Sequence, residues 1–163
     1  MPNRRIVRIL CALALAVLLA PSASGELAAW DQDRVAALAK NLATTTDALY
    51  ETFTQQPQPD PGSMQSRSYH GLEHRVRVLR VEARVLVKSL EEGDGREQTV
   101  WIYDNLMSHG RSARYEARAA FVAEDVGERA AAVRAALNQL GPYYDPDFQT
   151  LAPDLNIEPG PDR

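Results

Sequence analysis

The sequence predicts an all-α protein: an antiparallel four-helix bundle behind an N-terminal signal peptide, followed by a proline-rich, acidic C-terminal tail. Three observations carry this reading. Tyr69, Leu72, Val76, Leu79, Ala83, Leu86 and Leu90 alternate steps of three and four residues without a miss, the spacing of a bundle seam. Three further segments show shorter stretches of the same periodicity. Proline, glycine or a capping residue separates each pair of segments.

Residues 1–25 read as a secretory signal. Arg4, Arg5 and Arg8 precede ILCALALAVLLA, and Pro21 and the small residues Ser22, Ala23, Ser24 and Gly25 follow. Twelve apolar residues span only about 18 Å as a helix, short of the ~30 Å hydrocarbon core, so no stable membrane span is expected after cleavage. Cleavage is expected between Gly25 and Glu26, with Ser22 and Ser24 as neighbouring alternatives. Cys11 lies too early, and after Leu10, for a lipoprotein signal. The mature chain then has no cysteine, and a periplasmic or secreted protein without disulfides must be stabilised by its core.

The mature domain is expected over residues 26–142, with helices at about 31–54, 66–92, 95–122 and 125–140. Asp31 is the first N-cap, with Trp30 and Val35 placed as a hydrophobic staple. Val35, Leu38, Leu42, Leu49 and Phe53 form the first stripe, with Thr45 filling one gap. QQPQPDPGSMQ is a linker. Gly93 ends the second helix and Asp94 is a plausible cap for the third, which carries Ile102, Leu106, Ala113, Ala117 and Ala120 or Phe121. Gly110 marks a point where that helix could kink or split. Asp125 and Glu128 have capping-box spacing. Val126, Ala130, Val133, Leu137 and Leu140 follow, and Gly141-Pro142 is expected to stop the fourth helix. Residues 143–163 hold Tyr143, Tyr144 and Phe148, which could fold back on the bundle end, and then an extended or disordered terminus. A β-hairpin competes: VRVLRVEARVLV and TVWIY are strand-like around Gly93-Asp94-Gly95. The unbroken seam outweighs those two short runs.

Removing the signal removes three arginines and no acid, taking the formal net charge from -4 to -7. That balance argues against nucleic acid as a partner. No G-x-S-x-G, phosphate-binding glycine loop or C-x-x-C-H occurs. The L-T-x-x-Q motif of periplasmic helical-hairpin chaperones is also missing.

His70-Gly71-Leu72-Glu73-His74 is the sharpest local motif. It resembles H-x-x-E-H, the inverted zinc-protease motif. That resemblance implies His70 and His74 as zinc ligands, Glu73 as the base, and a substrate held on a sheet edge. The heptad frame instead sets both histidines on the outer face. They could then share one divalent transition metal, zinc or copper, without catalysis. A third ligand would come from Glu116 or Asp47, which helix pairing brings near their level. His109 lines up nearer Leu79, about 7 Å along the axis from His74. It reads as a buried or half-buried histidine bonded to a neighbour. Arg77, Arg84 and Lys88 share the outward arc with the two histidines and offer a surface for a cell-envelope protein or an anionic ligand. The leading expectation is therefore a secreted or periplasmic interaction module, neither an enzyme nor a cofactor protein. A metal-binding bundle is the alternative, and an H-x-x-E-H hydrolase stands third.

Overall fold

The computed structural model describes residues 26–120 and 122–149; the expected signal peptide and the end of the expected tail lie outside them. Four helices are present and no strand occurs among the described residues: α1 (Gln32–Thr54), α2 (Met64–Glu91), α3 (Arg96–Ala119) and α4 (Glu124–Tyr144). Both segments of the β-hairpin alternative are helical.

Consecutive helices run in opposite directions. Gln32 Nε2 at the start of α1 donates to Leu90 O at the end of α2, over 2.8 Å. Tyr69 near the start of α2 stacks on Phe53 at the end of α1, their centroids 4.7 Å apart. The start of α1 also meets the end of α4, where Ala28 N donates to Pro142 O over 2.8 Å. Helix α2 packs closely on α1 and α3, α1 packs closely on α4, and α3 touches α4 only sparsely.

Local chemistry sets the helix ends. Asp31 accepts from Arg34 N and Ser63 from Ser66 N, each at 3.0 Å, so a side chain satisfies one orphan donor at both starts. Helix α2 stops at Gly93, whose φ of +95° lies in the left-handed region that favours glycine. Gly95, rather than Asp94, caps α3, and its N–H donates to Gln98 Oε1. Asp94 instead accepts from Ser89 Oγ. Helix α4 begins after Ala123, which places Asp125 in its first turn.

All seven seam residues of α2 are buried. On α1 the buried set is Val35, Ala39, Leu42, Thr46, Leu49 and Phe53, so Leu38 and Thr45 lie beside the stripe, half-buried. Thr46 tolerates full burial because its hydroxyl donates within the helix, to Leu42 O at 3.0 Å and Ala43 O at 2.9 Å. Helix α3 is continuous through Gly110. There Leu137 Cδ1 comes within 3.6 Å of where a Cβ would sit.

Helix α4 does not stop at Gly141-Pro142 but continues to Tyr144. Tertiary contacts hold this last turn. Tyr144 stacks on Tyr103 at 4.7 Å, meets the edge of Trp30 at 5.6 Å and shares a hydrogen bond with Thr99 Oγ1 at 3.0 Å. The chain then turns at Asp145 and lays Phe148 on Gly141, in space a Cβ would need. Arg96 Nη2 donates to Ala28 O over 2.6 Å, drawing the segment before α1 into the same cluster.

Two substitutions test the core. Leu86 is fully buried, so Leu86→Ala is expected to cost about 2–5 kcal/mol in urea unfolding, whereas Val81→Ala on the outer face should stay within about 0.5 kcal/mol. Equal losses would refute the orientation of α2. The two stacked tyrosines should also separate. Tyr103 Oη is buried without a hydrogen-bond partner, whereas Tyr144 Oη bonds Thr99. Tyr103→Phe should leave stability unchanged or higher, while Tyr144→Phe should lose about 1 kcal/mol.

Candidate functional site

The candidate groups lie on the outer surface of α2. Its apolar seam faces inward, so the helical period turns His70, His74, Arg77, Arg84 and Lys88 outward, and all five are exposed. Most of these groups meet an acid. Glu73 accepts from Arg77 Nη2 at 2.7 Å and lies 3.4 Å from His70 Nδ1. Lys88 Nζ stands 3.7 Å from Glu92.

Asp47 on α1 receives Arg80 Nε at 2.6 Å and Arg84 Nη2 at 2.9 Å. Burial alone would raise the Asp47 carboxyl, but hydrogen bonds from Arg80 and Arg84, and their charge, outweigh it and hold its pKa below the ordinary value. Arg80 also lies over the Tyr50 ring, 4.7 Å from its centroid, and so ties α2 to α1 by charge and by stacking. Asp47 is thus committed to a two-arginine clamp, which opposes its use as a metal ligand. Its partners on α2 lie six and ten residues beyond His74, and the chemistry is that of an interhelical ion pair.

Glu116 comes nearer to the histidines. Its carboxylate lies 3.2 Å from where a Cβ on Gly71 would stand, between α2 and α3. A side chain at position 71 would therefore crowd it, and Gly71 leaves room for Glu116 beside the turn that carries His70 and His74. His109 is half-buried on α3. No group of three or more His, Cys, Asp or Glu side chains converges as a metal site among the described residues. Nor does any described residue supply a strand for a protease-like substrate. A hollow of about 350 Å³ opens where Pro57, Pro59, Gln65 and Tyr69 meet Ala120.

One feature of the outer surface has no counterpart in the sequence reading. Among the described residues, the exposed large apolar side chains all lie on α2 and α3: Met64 (80%), Val81 (54%), Val85 (39%), Trp101 (55%) and Tyr115 (76%). Their signal was available. Val81 and Val85 fall outside an otherwise complete seam, and Trp101 is offset from the Ile102–Leu106 stripe. No described helix is long and apolar enough to cross a membrane.

The Asp47 clamp has a testable pH signature. Its folded pKa lies below the unfolded value of about 3.9, so its stabilisation is present above that pH and lost as pH falls through the folded pKa. The pair is partly exposed, so the contribution should be about 1 kcal/mol or less. Asp47→Asn should lower stability at pH 7 and flatten its decline between about pH 5 and 2. An unchanged acid limb in urea unfolding would remove Asp47 from this role. Comparison with family models, curated proteins and solved structures gives no match.

Proposed function

We propose that this protein is a secreted or periplasmic helical-bundle interaction module, without catalytic activity, that binds its partner through the outer face of α2 and α3. The observation that carries this reading is the placement of the exposed large apolar side chains on those two helices. Those on α2 stand among cationic groups, with six Lys or Arg against three Asp or Glu along that helix in a chain whose overall balance is acidic. An apolar strip edged by charge suits recognition of a protein partner better than turnover of a small molecule. Export rests on the arginine-rich start, the twelve apolar residues and the small-residue site.

A second reading, one divalent transition metal on His70 and His74, draws support from Glu116 beside Gly71. Zinc titration separates the two. The interaction reading expects no stoichiometric uptake; tight uptake lost in both His74→Ala and Glu116→Ala would favour the metal.

The interaction reading is tested by affinity capture from the native cell envelope with the mature protein as bait. The double variant Val81→Asp/Val85→Asp should lose chains that the wild type retains, while Gln139→Asp on α4 retains them. Equal retention by the α2 variant would overturn the assignment of this face.

A further inference from the structure

The outer face of α2 and α3 carries two edges of opposite sign. On α2, Arg84 and Lys88 stand beside Val81 and Val85, all exposed. On α3, Glu97 and Asp104 flank Trp101, all exposed. Two markers fix the register between the helices: Gly71 beside Glu116, and the turn joining Glu91 to Arg96. Both place Arg84 within about one residue of the level of Asp104, Val85 within about one of Trp101, and Lys88 within about two of Glu97, at 1.5 Å per residue.

We propose that this face binds a second copy of the chain, α2 of one copy lying on α3 of the other about a twofold axis parallel to the helices. The inference rests on the reading of this face as an interaction surface and names one partner for it. Such an axis keeps every residue at its own level and exchanges the two helices. Arg84 then meets Asp104 of the second copy, Lys88 meets its Glu97, and Val85 covers its Trp101, with Val81 one turn further along. Symmetry makes each contact twice. The other face-to-face arrangement, with the axis across the helices, sets α2 antiparallel on α2, the cationic outer surface of one copy against that of the other. Like charges oppose it.

Arg84 is equipped for both roles. It engages Asp47 through Nη2 alone, leaving its other guanidinium donors for a second carboxylate. The group of Asp47, Arg80 and Arg84 also keeps one net positive charge.

Size sets the strength. At 28 residues α2 is about 42 Å long, and two packed helices present a face about 20 Å wide. Only the half near the α2–α3 turn is complementary. In the other half Arg67, His70 and His74 would face Arg111 and Arg118 of the second copy. The contact therefore belongs to the small, transient class of interfaces, with a dissociation constant in the range of tens to hundreds of micromolar.

Sedimentation velocity of the mature protein from roughly 10 to 500 µM is the test. Wild type should show reversible dimerisation that weakens as salt rises. Lys88→Glu and Glu97→Lys should each weaken the dimer about tenfold, and the two combined in one chain should restore it to within about threefold of wild type. Trp101→Ser should abolish it, with circular dichroism confirming that each variant is folded. A monomeric wild type at the highest concentration, or a double variant as weak as either single one, would overturn the proposal. If wild type is monomeric while the envelope capture still fails in Val81→Asp/Val85→Asp, only the self-association is lost and the face keeps another partner. If that capture is unchanged, the reading of the face itself falls.

Discussion

The buried seam of α2 is the constraint on which the rest of the structure depends. Leu72, Val76, Leu79, Ala83, Leu86 and Leu90 bury one side of this helix between α1 and α3, and none of them can turn outward without opening the core. That fixes the rotation of α2 about its axis. Arg80 and Arg84 are thereby aimed at α1, where they find Asp47. Gly71 is aimed at α3, where Glu116 fills the space its missing side chain leaves. Whatever remains, the two histidines, Arg77, Lys88, Val81 and Val85, faces away from the core.

How much of this was legible in the sequence varied with the range of the interaction. The α2 seam was fully legible because it needs only the helical period. On α1 the stripe read from side-chain apolarity was displaced by one residue at two positions. Leu38 and Thr45 looked like the core residues, but Ala39 and Thr46 are buried. A threonine hydroxyl can bond its own helix backbone, and a small alanine lets a neighbouring helix approach. The end of α4 was not legible. Gly141-Pro142 is a sound local stop signal, yet Tyr144 is drawn into the last turn by Tyr103, Thr99 and Trp30, which lie far away in the chain.

The candidate site divides in the same way. Heptad position sufficed to turn His70 and His74 outward, and antiparallel pairing sufficed to bring Glu116 to their level. The same reasoning proposed Asp47, but level along an axis does not decide which neighbour a carboxylate faces, and Asp47 meets Arg80 and Arg84. Two guanidinium groups compete for Asp47 and win by charge and geometry. The strand-like valines of VRVLRVEARVLV were informative in another sense. Once α2 is a helix with its seam filled, the surplus β-branched residues have no interior position left, and Val81 and Val85 must be exposed.

Exposed apolar side chains are most useful where the backbone beneath them is rigid, because ordering a surface at the moment of binding subtracts from affinity. The bundle meets that condition unevenly. Helix α2 is packed closely on both neighbours, whereas α3 and α4 touch sparsely, with Tyr103 stacked on Tyr144 and Leu137 beside Gly110. Trp101 lies on α3 between Thr99 and Tyr103, both of which are held in the Tyr144 cluster, and Val81 and Val85 lie on α2 between Leu79 and Leu86. Val81, Val85 and Trp101 therefore stand on stretches of helix whose inner sides are packed in the core. The cluster of Trp30, Tyr103 and Tyr144, with Arg96 reaching back to Ala28, does more than close one end of the bundle. It also fixes the helix segment that presents Trp101, and so links the segment before α1 and the last turn of α4 to the outer face of α3.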